Sequence, residues 1–371
     1  MKTEAAVSRE GAPAPVLETL DIEAPRPGEV LVRIVATGVC HTDIGMHQGR
    51  GGLTPKPMVL GHEGAGIVEQ VGDGVVSLAV GDHVVLSGGS CGTCPSCRRN
   101  FPSYCEEMLP RNFGGLRPDG TSPLSKGGER IFSRFFGQSS FAQYAIADER
   151  TAVKVGKDVP LEILGPLGCG IITGTGAVLN SMKIIPGQSL AVFGVGGVGL
   201  SAVMAARLAG ASRIIAVDPV PARLEMAKAL GATDVLAAGE DAGKQVREIA
   251  GGRGVDFSLN TTPLPAVFTQ AMECLATQGT AVFVTAPRGG ASGGGEWTPA
   301  MFPMLAGGRK LQGIVGGSAA PQLFIPMLID FWRQGRLPFD RLIRFYPFEA
   351  IAQAFHDVET GETIKPVLRM G

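Results

Sequence analysis

Residues 189–218 read SLAVFGVGGVGLSAVMAARLAGASRIIAVD, and this stretch decides the fold of the second half of the chain. It holds a strand, a glycine turn, an apolar helix, a second strand and an acidic residue, at 189–193, 194–199, 200–209, 213–217 and Asp218. A Gly-x-Gly-x-x-Gly turn in this setting is typical of the first βαβ unit of a Rossmann fold. The stretch therefore predicts a dinucleotide-binding domain.

The three glycines and the aspartate have separate physical tasks. Gly194 permits the tight turn, Gly196 lets the backbone approach a pyrophosphate, and Gly199 lets the helix pack on the strand. The carboxylate of Asp218 is placed to accept from ribose hydroxyls and to repel a 2′-phosphate, which predicts NAD rather than NADP. The alternative is that Asp218 only caps the turn before Pro219.

Strand and helix patterns alternate after Asp218. Helices are predicted at 221–230, 244–250 and 264–275, and strands at 235–236, 255–259 and 280–284. This alternation predicts an α/β class domain built on a doubly wound parallel sheet.

The first part of the chain reads instead as short strands between glycine turns, at 29–35, 59–60, 66–71 and 81–86. Such a pattern predicts a barrel-like β domain, and a last strand at 363–368 suggests that the tail returns to it. A chain of 371 residues is too long for one ordinary core. We divide it into a catalytic domain, a Rossmann domain and a returning segment, at 1–170, 171–311 and 312–371.

Two short motifs place metal-ligand side chains next to carboxylates. Cys40-His41-Thr42-Asp43 and Gly61-His62-Glu63 offer a thiol and an imidazole, which suit zinc. The neighbouring carboxylates can accept the free N–H of a ligating imidazole and fix its tautomer. Cys169 offers a third ligand, and a catalytic zinc keeps its fourth position open. Zinc ligands ahead of a dinucleotide fold predict Lewis-acid chemistry coupled to hydride transfer.

A second cysteine cluster lies between the two motifs and the Rossmann stretch. Its members are Cys91, Cys94, Cys97 and Cys105. Four thiolates at this spacing can enclose a structural zinc, and a four-cysteine iron–sulfur cluster is the rival interpretation. Cys274 lies in an apolar helix pattern and is expected in the core.

Composition narrows the classes of partner. The net charge is −1, which does not favour nucleic acid or an anionic membrane as the main partner. The N-terminus has no apolar signal core, so a cytoplasmic location is expected. In a reducing compartment the seven cysteines are expected to bind metal rather than to form disulfides.

Taken together, these motifs resemble the zinc-dependent medium-chain alcohol dehydrogenases along the whole chain. The runs 108–115, 135–141 and 164–170 are similar to the aryl- and allylic-alcohol dehydrogenases of the benzyl alcohol type. The fold implied is a GroES-like β-barrel catalytic domain plus a doubly wound Rossmann domain.

The resemblance also implies residue roles. The catalytic zinc would be bound by Cys40, His62 and Cys169, with Glu63 counted in the metal site and Asp43 in support. The structural zinc would be bound by the four clustered cysteines. Thr42 would take the proton of the substrate hydroxyl. Cofactor contacts would come from His41, Thr173, Gly194, Gly196, Gly197, Val198, Gly199, Asp218, Arg223 and Lys365. Substrate contacts would come from Ser87 and Phe136, although Phe136 fits the core as well as a pocket.

One departure from the family concerns the proton path. Many members carry a histidine five residues after the first cysteine ligand, and here that position is Gly45. His47 is offset by two residues, so the path from Thr42 is expected to run through the cofactor ribose and water. Ser87 replaces a residue that is often a bulky aromatic, which suggests room for a ring-bearing or branched substrate.

We therefore expect an NAD-dependent enzyme that oxidises a primary aryl or allylic alcohol to the aldehyde, reversibly. One alternative is a general aliphatic alcohol, polyol or formaldehyde-adduct dehydrogenase of the same superfamily. Another, from a different class, is a zinc and nucleotide sensor without turnover. The expected partners are a small alcohol or aldehyde and further copies of the chain, as a dimer or tetramer.

Overall fold

The computed structural model describes residues 1–288 and 295–371. The chain forms two compact units. The first contains Met1–Cys169, Ala320–Ile329 and Asp340–Gly371, and the second contains Gly170–Ala319 and Asp330–Phe339. The first boundary predicted from the sequence falls beside Cys169, whereas the second unit continues to Ala319, beyond the predicted 311.

The first unit is built from two β-sheets. Its strands are β1 (Lys2–Ser8), β2 (Val16–Ile22), β3 (Glu29–Gly38), β4 (Met58–Val59), β5 (Gly64–Val71), β6 (His83–Leu86), β7 (Leu124–Lys126), β8 (Glu129–Ile131), β9 (Tyr144–Asp148), β10 (Ala152–Val155), β17 (Ile343–Pro347) and β18 (Lys365–Arg369). The five-stranded sheet has the order β4-β1-β2-β7-β8. The larger sheet has the order β10-β6-β5-β3-β18-β17, and β9 also pairs with β3.

The end of the chain, Asp340–Gly371, belongs to the first unit, whereas Asp330–Phe339 belongs to the second. Strand β18 pairs antiparallel with β3, with Val367 opposite Gly38. The backbone N–H of Val39 then donates to the Pro366 carbonyl over 3.0 Å. The tail therefore helps to fix the end of β3, where the first zinc motif begins.

The second unit holds the predicted parallel sheet. Its strands are β11 (Ser189–Phe193), β12 (Arg213–Asp218), β13 (Asp234–Ala237), β14 (Val255–Asn260), β15 (Leu275–Phe283) and β16 (Lys310–Gly313). The order is β13-β12-β11-β14-β15-β16, and every pairing in it is parallel. This is the doubly wound order, in which a ligand binds beyond the carboxyl ends of the strands.

Eleven α-helices occur in the described residues. They are α1 (His41–His47), α2 (Pro95–Arg98), α3 (Met108–Phe113), α4 (Gly170–Gly176), α5 (Gly197–Leu208), α6 (Pro221–Leu230), α7 (Ala242–Ile249), α8 (Pro265–Glu273), α9 (Met301–Gly307), α10 (Pro321–Arg333) and α11 (Ile351–Thr360). Within the described ranges, no helix combines the length and the apolar composition that a membrane crossing requires.

Two neighbouring elements show where predicted and observed bounds differ. The helix expected to reach residue 275 ends at Glu273, and the strand expected from 280 begins at Leu275. Leu275 is fully buried and pairs with Val255, so this apolar residue belongs to the sheet and not to the helix that its pattern predicted. Cys274, between the two elements, is fully buried as expected.

Candidate active site

One cluster of metal-ligand side chains lies within the first unit. Ligand atoms of Cys40, His62, Glu63 and Cys169 all lie within 4.8 Å of one another. Cys40 is the residue before α1, His62 lies between β4 and β5, and Cys169 directly precedes α4. The fold therefore brings together the ligand set that was predicted from two distant parts of the sequence.

Asp43 ties the first two ligands together. Its carboxylate accepts the backbone N–H of Cys40 and of Gly61, each over 3.0 Å, and lies 2.9 Å from Nδ1 of His62. Because a carboxylate only accepts, Nδ1 of His62 carries the hydrogen. The Nε2 atom of His62 is buried and has no hydrogen-bond partner in the described part of the chain. That atom is thus the one left to bind a metal.

The charges of this cluster also fit a metal site. A hydrogen bond from Cys169 holds the pKa of the Cys40 thiol well below its usual value. Burial alone would lower the pKa of His62, but Asp43 and Cys40 together outweigh burial and raise this pKa well above its usual value. Two thiols and one imidazole are donors that zinc prefers, and binding must release their protons. The residues present therefore fit a zinc ion.

A lysine forms an ion pair with Glu63. Nζ of Lys365 donates to both carboxylate oxygens over 2.9 Å and to the Val39 carbonyl over 3.4 Å. Glu63 is fully buried and Lys365 nearly so. Burial raises the pKa of Glu63. The three N–H donors of Lys365 are thus directed at protein oxygens, and its contact with the cofactor stays a prediction.

The second cysteine cluster is also assembled. The Sγ atoms of Cys91, Cys94, Cys97 and Cys105 lie within 4.8 Å of one another. Backbone N–H groups point at the sulfurs, for example Cys94 to Cys91 over 3.2 Å and Cys91 to Cys105 over 3.2 Å. The N–H of Thr93 is the main cause that lowers the pKa of Cys91 to about 6. Thiolates stabilised in this way fit a closed four-sulfur zinc site.

The dinucleotide turn lies in the second unit. Gly194 has φ +86°, which favours glycine, and a Cβ there would lie 2.5 Å from Oγ1 of Thr261. A Cβ on Gly199 would lie 2.0 Å from the Gly194 carbonyl oxygen, whereas one on Gly196 would meet no atom within 4 Å. The turn is therefore tight on the protein side and open beside Gly196, where the pattern expects a ligand.

Asp218 lies at the end of β12, beside that turn. Its carboxylate accepts the backbone N–H of Val195 over 2.8 Å and of Val220 over 2.9 Å, and Nη1 of Arg223 lies 3.9 Å away. Each carboxylate oxygen can accept more than one hydrogen bond. Asp218 thus caps the turn and retains capacity to accept from a ribose.

Aromatic rings pack around His62. The ring of Phe136 stacks on the imidazole with centroids 4.5 Å apart and planes inclined by 26°. Phe135 meets the same imidazole edge-on at 5.5 Å, and Phe113 contacts both phenylalanines. Phe136 therefore lies at the predicted zinc ligand, although its contact with substrate stays a prediction.

The other predicted residues have the following places. Ser87 is buried, and its hydroxyl donates to the Thr151 carbonyl over 3.0 Å. His41 is exposed in the first turn of α1, and Oγ1 of Thr42 lies 3.8 Å from Sγ of Cys40. Thr173 is half-buried in α4.

His47 points away from the zinc ligands. Its Nδ1 lies 2.8 Å from the Ser8 hydroxyl, and its ring packs edge-on against Phe355 at 5.9 Å. Both contacts lie on the β1 and α11 side of α1. The offset histidine is therefore not one of the clustered metal-ligand side chains, and the path of the proton from Thr42 stays a prediction.

With this geometry in place, comparison with known proteins identifies the family. Residues 26–157 match the family model described as alcohol dehydrogenase GroES-like domain, and residues 197–332 match the one described as zinc-binding dehydrogenase. The chain is 48% identical over 372 residues to a geraniol dehydrogenase of Castellaniella defragrans, covering 99% of this chain and 98% of the relative. The chain belongs to the zinc-dependent medium-chain alcohol dehydrogenases.

Two solved structures of alcohol dehydrogenases are similar throughout. A benzyl alcohol dehydrogenase from Acinetobacter calcoaceticus is 44% identical with a TM-score of 0.95, and each chain is covered to 100%. An alcohol dehydrogenase zinc-binding domain protein from Burkholderia ambifaria is 50% identical with a TM-score of 0.96, covering 100% of this chain and 99% of that one. The predicted family, fold class and enzyme class of this alcohol dehydrogenase are confirmed.

Sequence reasoning missed two residues of this dehydrogenase that contact His62, one of the candidate metal ligands. Gln138 donates from Nε2 to the His62 carbonyl over 3.1 Å and accepts the N–H of Gly64 over 3.0 Å. Phe135 contacts the His62 ring as described above. The run Phe135-Phe136-Gly137 was a signal, but nothing in its spacing indicates which ring faces the histidine.

Proposed function

We propose that this alcohol dehydrogenase oxidises primary aryl or allylic alcohols to aldehydes, reversibly, with hydride transfer to NAD. The observation that carries the proposal is the group of phenylalanine rings beside His62, since flat aromatic walls suit aromatic or unsaturated substrates. The names of the relatives support it, because geraniol is an allylic alcohol and benzyl alcohol an aryl one.

The proposed ligands of the catalytic zinc are Cys40, His62 and Cys169, with Glu63 at the edge of the cluster. Zinc would supply Lewis-acid chemistry there by stabilising negative charge on the substrate oxygen. Asp43 keeps the hydrogen of His62 on Nδ1 and so keeps Nε2 available. The second zinc would be bound by Cys91, Cys94, Cys97 and Cys105.

Thr42 is the proposed proton acceptor. Its hydroxyl lies at the cluster, 3.8 Å from Sγ of Cys40, and a hydroxyl can both accept and donate. Gly45 has no side chain to continue the path, and His47 faces Ser8. The proton would therefore leave Thr42 through the cofactor ribose and water.

NAD is the proposed cofactor. The opening beside Gly196 leaves space for a pyrophosphate at the start of α5, where Gly197 and Val198 present backbone N–H groups. Asp218 and Arg223 would hold the adenosine ribose, and the charge of Asp218 would disfavour NADP. Further contacts are proposed for His41, Thr173 and Lys365.

The test is NADH formation at 340 nm with benzyl alcohol, cinnamyl alcohol, geraniol, ethanol and a polyol. Each alcohol is run with NAD and with NADP, before and after chelation of zinc. We expect zinc-dependent turnover of the first three alcohols with NAD. Turnover of ethanol or the polyol alone would reject the substrate class. No turnover of any alcohol, despite bound zinc and NAD, would favour the alternative that the protein is a zinc and nucleotide sensor.

We also propose that the enzyme is a homo-oligomer, a dimer or a tetramer. Strand β16 ends its sheet and all four of its residues are exposed. On α9, Phe302 and Leu305 are 76% and 82% exposed. An open strand edge beside apolar side chains is suited to pairing with a second copy. Light scattering coupled to size exclusion would give the mass, and a monomer would contradict this.

A reducing compartment, the cytoplasm, is the proposed location. All seven cysteines are free thiols, and six of them lie in the two metal clusters. Thiols needed as ligands are lost on oxidation. Cell fractionation tests the location, and recovery outside the cytoplasm would contradict it.

A further inference from the structure

The turn from Arg134 to Ser139 has an unusual backbone. Arg134, Phe136 and Ser139 have φ of 70°, 49° and 54°, and Gly137 between them has φ of 70°. A left-handed conformation is uncommon outside glycine, and for a bulky aromatic residue it is an outlier. Such a conformation persists only where surrounding contacts enforce it, and outliers of this kind cluster at functional sites.

The turn directs two rings at one imidazole. Phe136 covers a face of the His62 ring at 4.5 Å, and Phe135 closes on it edge-on at 5.5 Å. Asp43 already fixes the Nδ1 side of His62 over 2.9 Å. The ring is thus confined on one face, at one edge and at one nitrogen, and its Nε2 atom remains free of hydrogen bonds within the described ranges.

Neighbouring strands hold the turn in this conformation. The guanidinium of Arg134 lies 2.8 Å from the Asp148 carboxylate and 3.5 Å from that of Glu29, and donates to the Ile146 carbonyl over 3.2 Å. These partners belong to β3 and β9. Arg134 is 5% exposed, so its charge is compensated inside the protein.

The other end of the turn is fastened as well. The hydroxyl of Ser139 donates to the Val59 carbonyl over 2.5 Å and accepts the N–H of Phe135 over 2.9 Å. Gln138 bridges the backbones of His62 and Gly64. The backbone of the turn is therefore anchored to the same segment that carries His62.

We infer that the turn 134–139 is a positioning device for His62, in which Phe136 fixes the plane of the imidazole and Arg134 holds Phe136 in its left-handed conformation. The inference rests on the proposed role of His62 as a zinc ligand. A confined imidazole loses little conformational freedom on binding a metal. Arg134 acts through Phe136 and is a positioning residue.

The test compares Phe136→Leu with a matched control, Phe113→Leu. Phe113 packs on Phe135 and Phe136 at 5.9 Å and 5.2 Å, and no ring contact joins it to His62 in the described residues. Both substitutions remove one ring from the same apolar cluster. Only the first removes the ring that lies on the ligand.

Three measurements are made on each purified protein: zinc content, the rate of zinc loss to a chelator, and the visible spectrum after Co²⁺ replaces the more exchangeable zinc. We expect Phe136→Leu to lose one of two zinc ions about 10-fold faster than wild type and to shift the Co²⁺ bands, as removal of groups that orient a ligand does. Phe113→Leu should match wild type in the rate of zinc loss and in the Co²⁺ bands.

Two further variants keep the inference testable if Phe136→Leu does not fold. Phe136→Tyr keeps a ring to stack and should match wild type in zinc content, in the rate of zinc loss and in the Co²⁺ bands. Arg134→Lys keeps the charge but loses the forked guanidinium, and should shift the Co²⁺ bands in the same direction as Phe136→Leu. Equal behaviour of Phe136→Leu and Phe113→Leu, or of Arg134→Lys and wild type, would overturn the inference. A wild type that holds only one zinc would instead reject the proposed ligand set.

Discussion

Asp43 shows how much of this site depends on one residue. It receives hydrogen bonds from Cys40, Gly61 and His62, and is fully buried. A buried carboxylate is stable only with such partners, and the partners are in turn fixed by it. The same residue therefore caps the start of α1 and orients the ligand histidine, so local structure and chemistry share one group.

Thr42→Val tests the proton acceptor. Valine keeps the shape of threonine but has no hydroxyl, so kcat should fall by about 100-fold or more, the range for loss of a positioned acid–base group. Zinc content should not change, because the ligands remain. Steady-state kinetics and metal analysis measure both. Thr42→Ser, which keeps the hydroxyl, should retain most turnover, and unchanged turnover in Thr42→Val would exclude the role.

Asp218→Asn tests the choice of cofactor. Loss of the charge should weaken NAD binding about 10-fold, because hydrogen bonds to charged groups are worth about 1.5–3 kcal/mol. It should also reduce the preference for NAD over NADP, because the negative charge that repels a 2′-phosphate is removed. Fluorescence titration with NADH and NADPH gives the ratio of dissociation constants. Since Asp218 also accepts from Val195 and Val220, the melting temperature should fall as well. If the melting temperature falls but the ratio of the NADH and NADPH dissociation constants does not change, Asp218 only caps the turn and does not select the cofactor.

At the scale of elements, the turn between β11 and α5 contains one glycine that packing requires and another that leaves space for a ligand. Its glycines are equally conspicuous in the sequence, but their surroundings differ. A Cβ at Gly199 would strike the Gly194 carbonyl, and one at Gly196 would meet nothing within 4 Å. One glycine is required by packing within the element, and the other leaves room outside it.

Gly199→Ala and Gly196→Ala form a matched pair that tests this distinction. Gly199→Ala should destabilise the protein by about 3 kcal/mol or more, since overpacking against backbone cannot be relieved by a rotamer change. The free energy of unfolding of Gly196→Ala should lie within about 0.5 kcal/mol of the wild-type value, as it does for most surface substitutions. The same variant should nevertheless bind NADH more weakly. Thermal melting and NADH titration measure both. Weaker binding without destabilisation in Gly199→Ala would contradict the packing argument.

Strand β2 carries an ion pair whose stabilisation depends on pH. Glu18 accepts from Arg9 over 2.5 Å and 2.9 Å and from Lys126 over 2.7 Å. The hydrogen bonds from Arg9 are the main cause that lowers the pKa of Glu18 from 4.5 to about 2. A depressed pKa contributes stability above the ordinary value, and this contribution is lost as the pH falls through the folded value.

Glu18→Gln should therefore destabilise the protein at pH 7 by about 1–2 kcal/mol, less than the full pKa shift would imply because the cationic partners are partly exposed. Below pH 4.5 the difference from wild type should narrow toward zero as pH 2 is approached. Melting midpoints of both proteins between pH 7 and pH 3 provide the comparison. A difference that stays constant across this range would show that charge is not its cause.

At the scale of the whole molecule, each of the two units has a hydrophobic core of its own. The lobe that contains the four clustered cysteines, residues 91–105, has few buried apolar side chains. Cys91 and Cys105 are buried, whereas Arg98 and Arg99 between them are exposed. A lobe that lacks apolar packing depends on its metal for folding. The remainder of the first unit keeps two sheets around a hydrophobic cluster that includes Leu31.

Chelation of zinc should therefore open this lobe before it opens the rest. Trypsin should cut after Arg98 or Arg99 in the chelated protein and not in the zinc-loaded one, while the sheet of the second unit stays intact. Mass spectrometry of timed digests gives the order of cuts. Cleavage at these arginines that is independent of chelation, or first cleavage within β11–β15, would contradict this.

The sequence by itself determined the local elements and singled out the candidate metal ligands. The helix 221–230 was placed at its observed ends, and the strand–turn–helix at 189–209 was identified with the helix start shifted only to Gly197, because turn and cap residues act on their immediate neighbours. Candidate zinc ligands could be named because thiols, an imidazole and adjacent carboxylates have few other uses together. Their assembly into two clusters followed the prediction.

Only the tertiary structure decided how distant side chains meet. The stacking of Phe136 on His62, the pairing of Lys365 with Glu63 and the turning of His47 toward Ser8 each join segments that are far apart in the chain. The sheet likewise took Leu275 from the predicted end of a helix. Periodicity and spacing record the preference of each residue for burial, but not the partner it finds there, and that partner sets the orientation of each ring and the charge of each buried group.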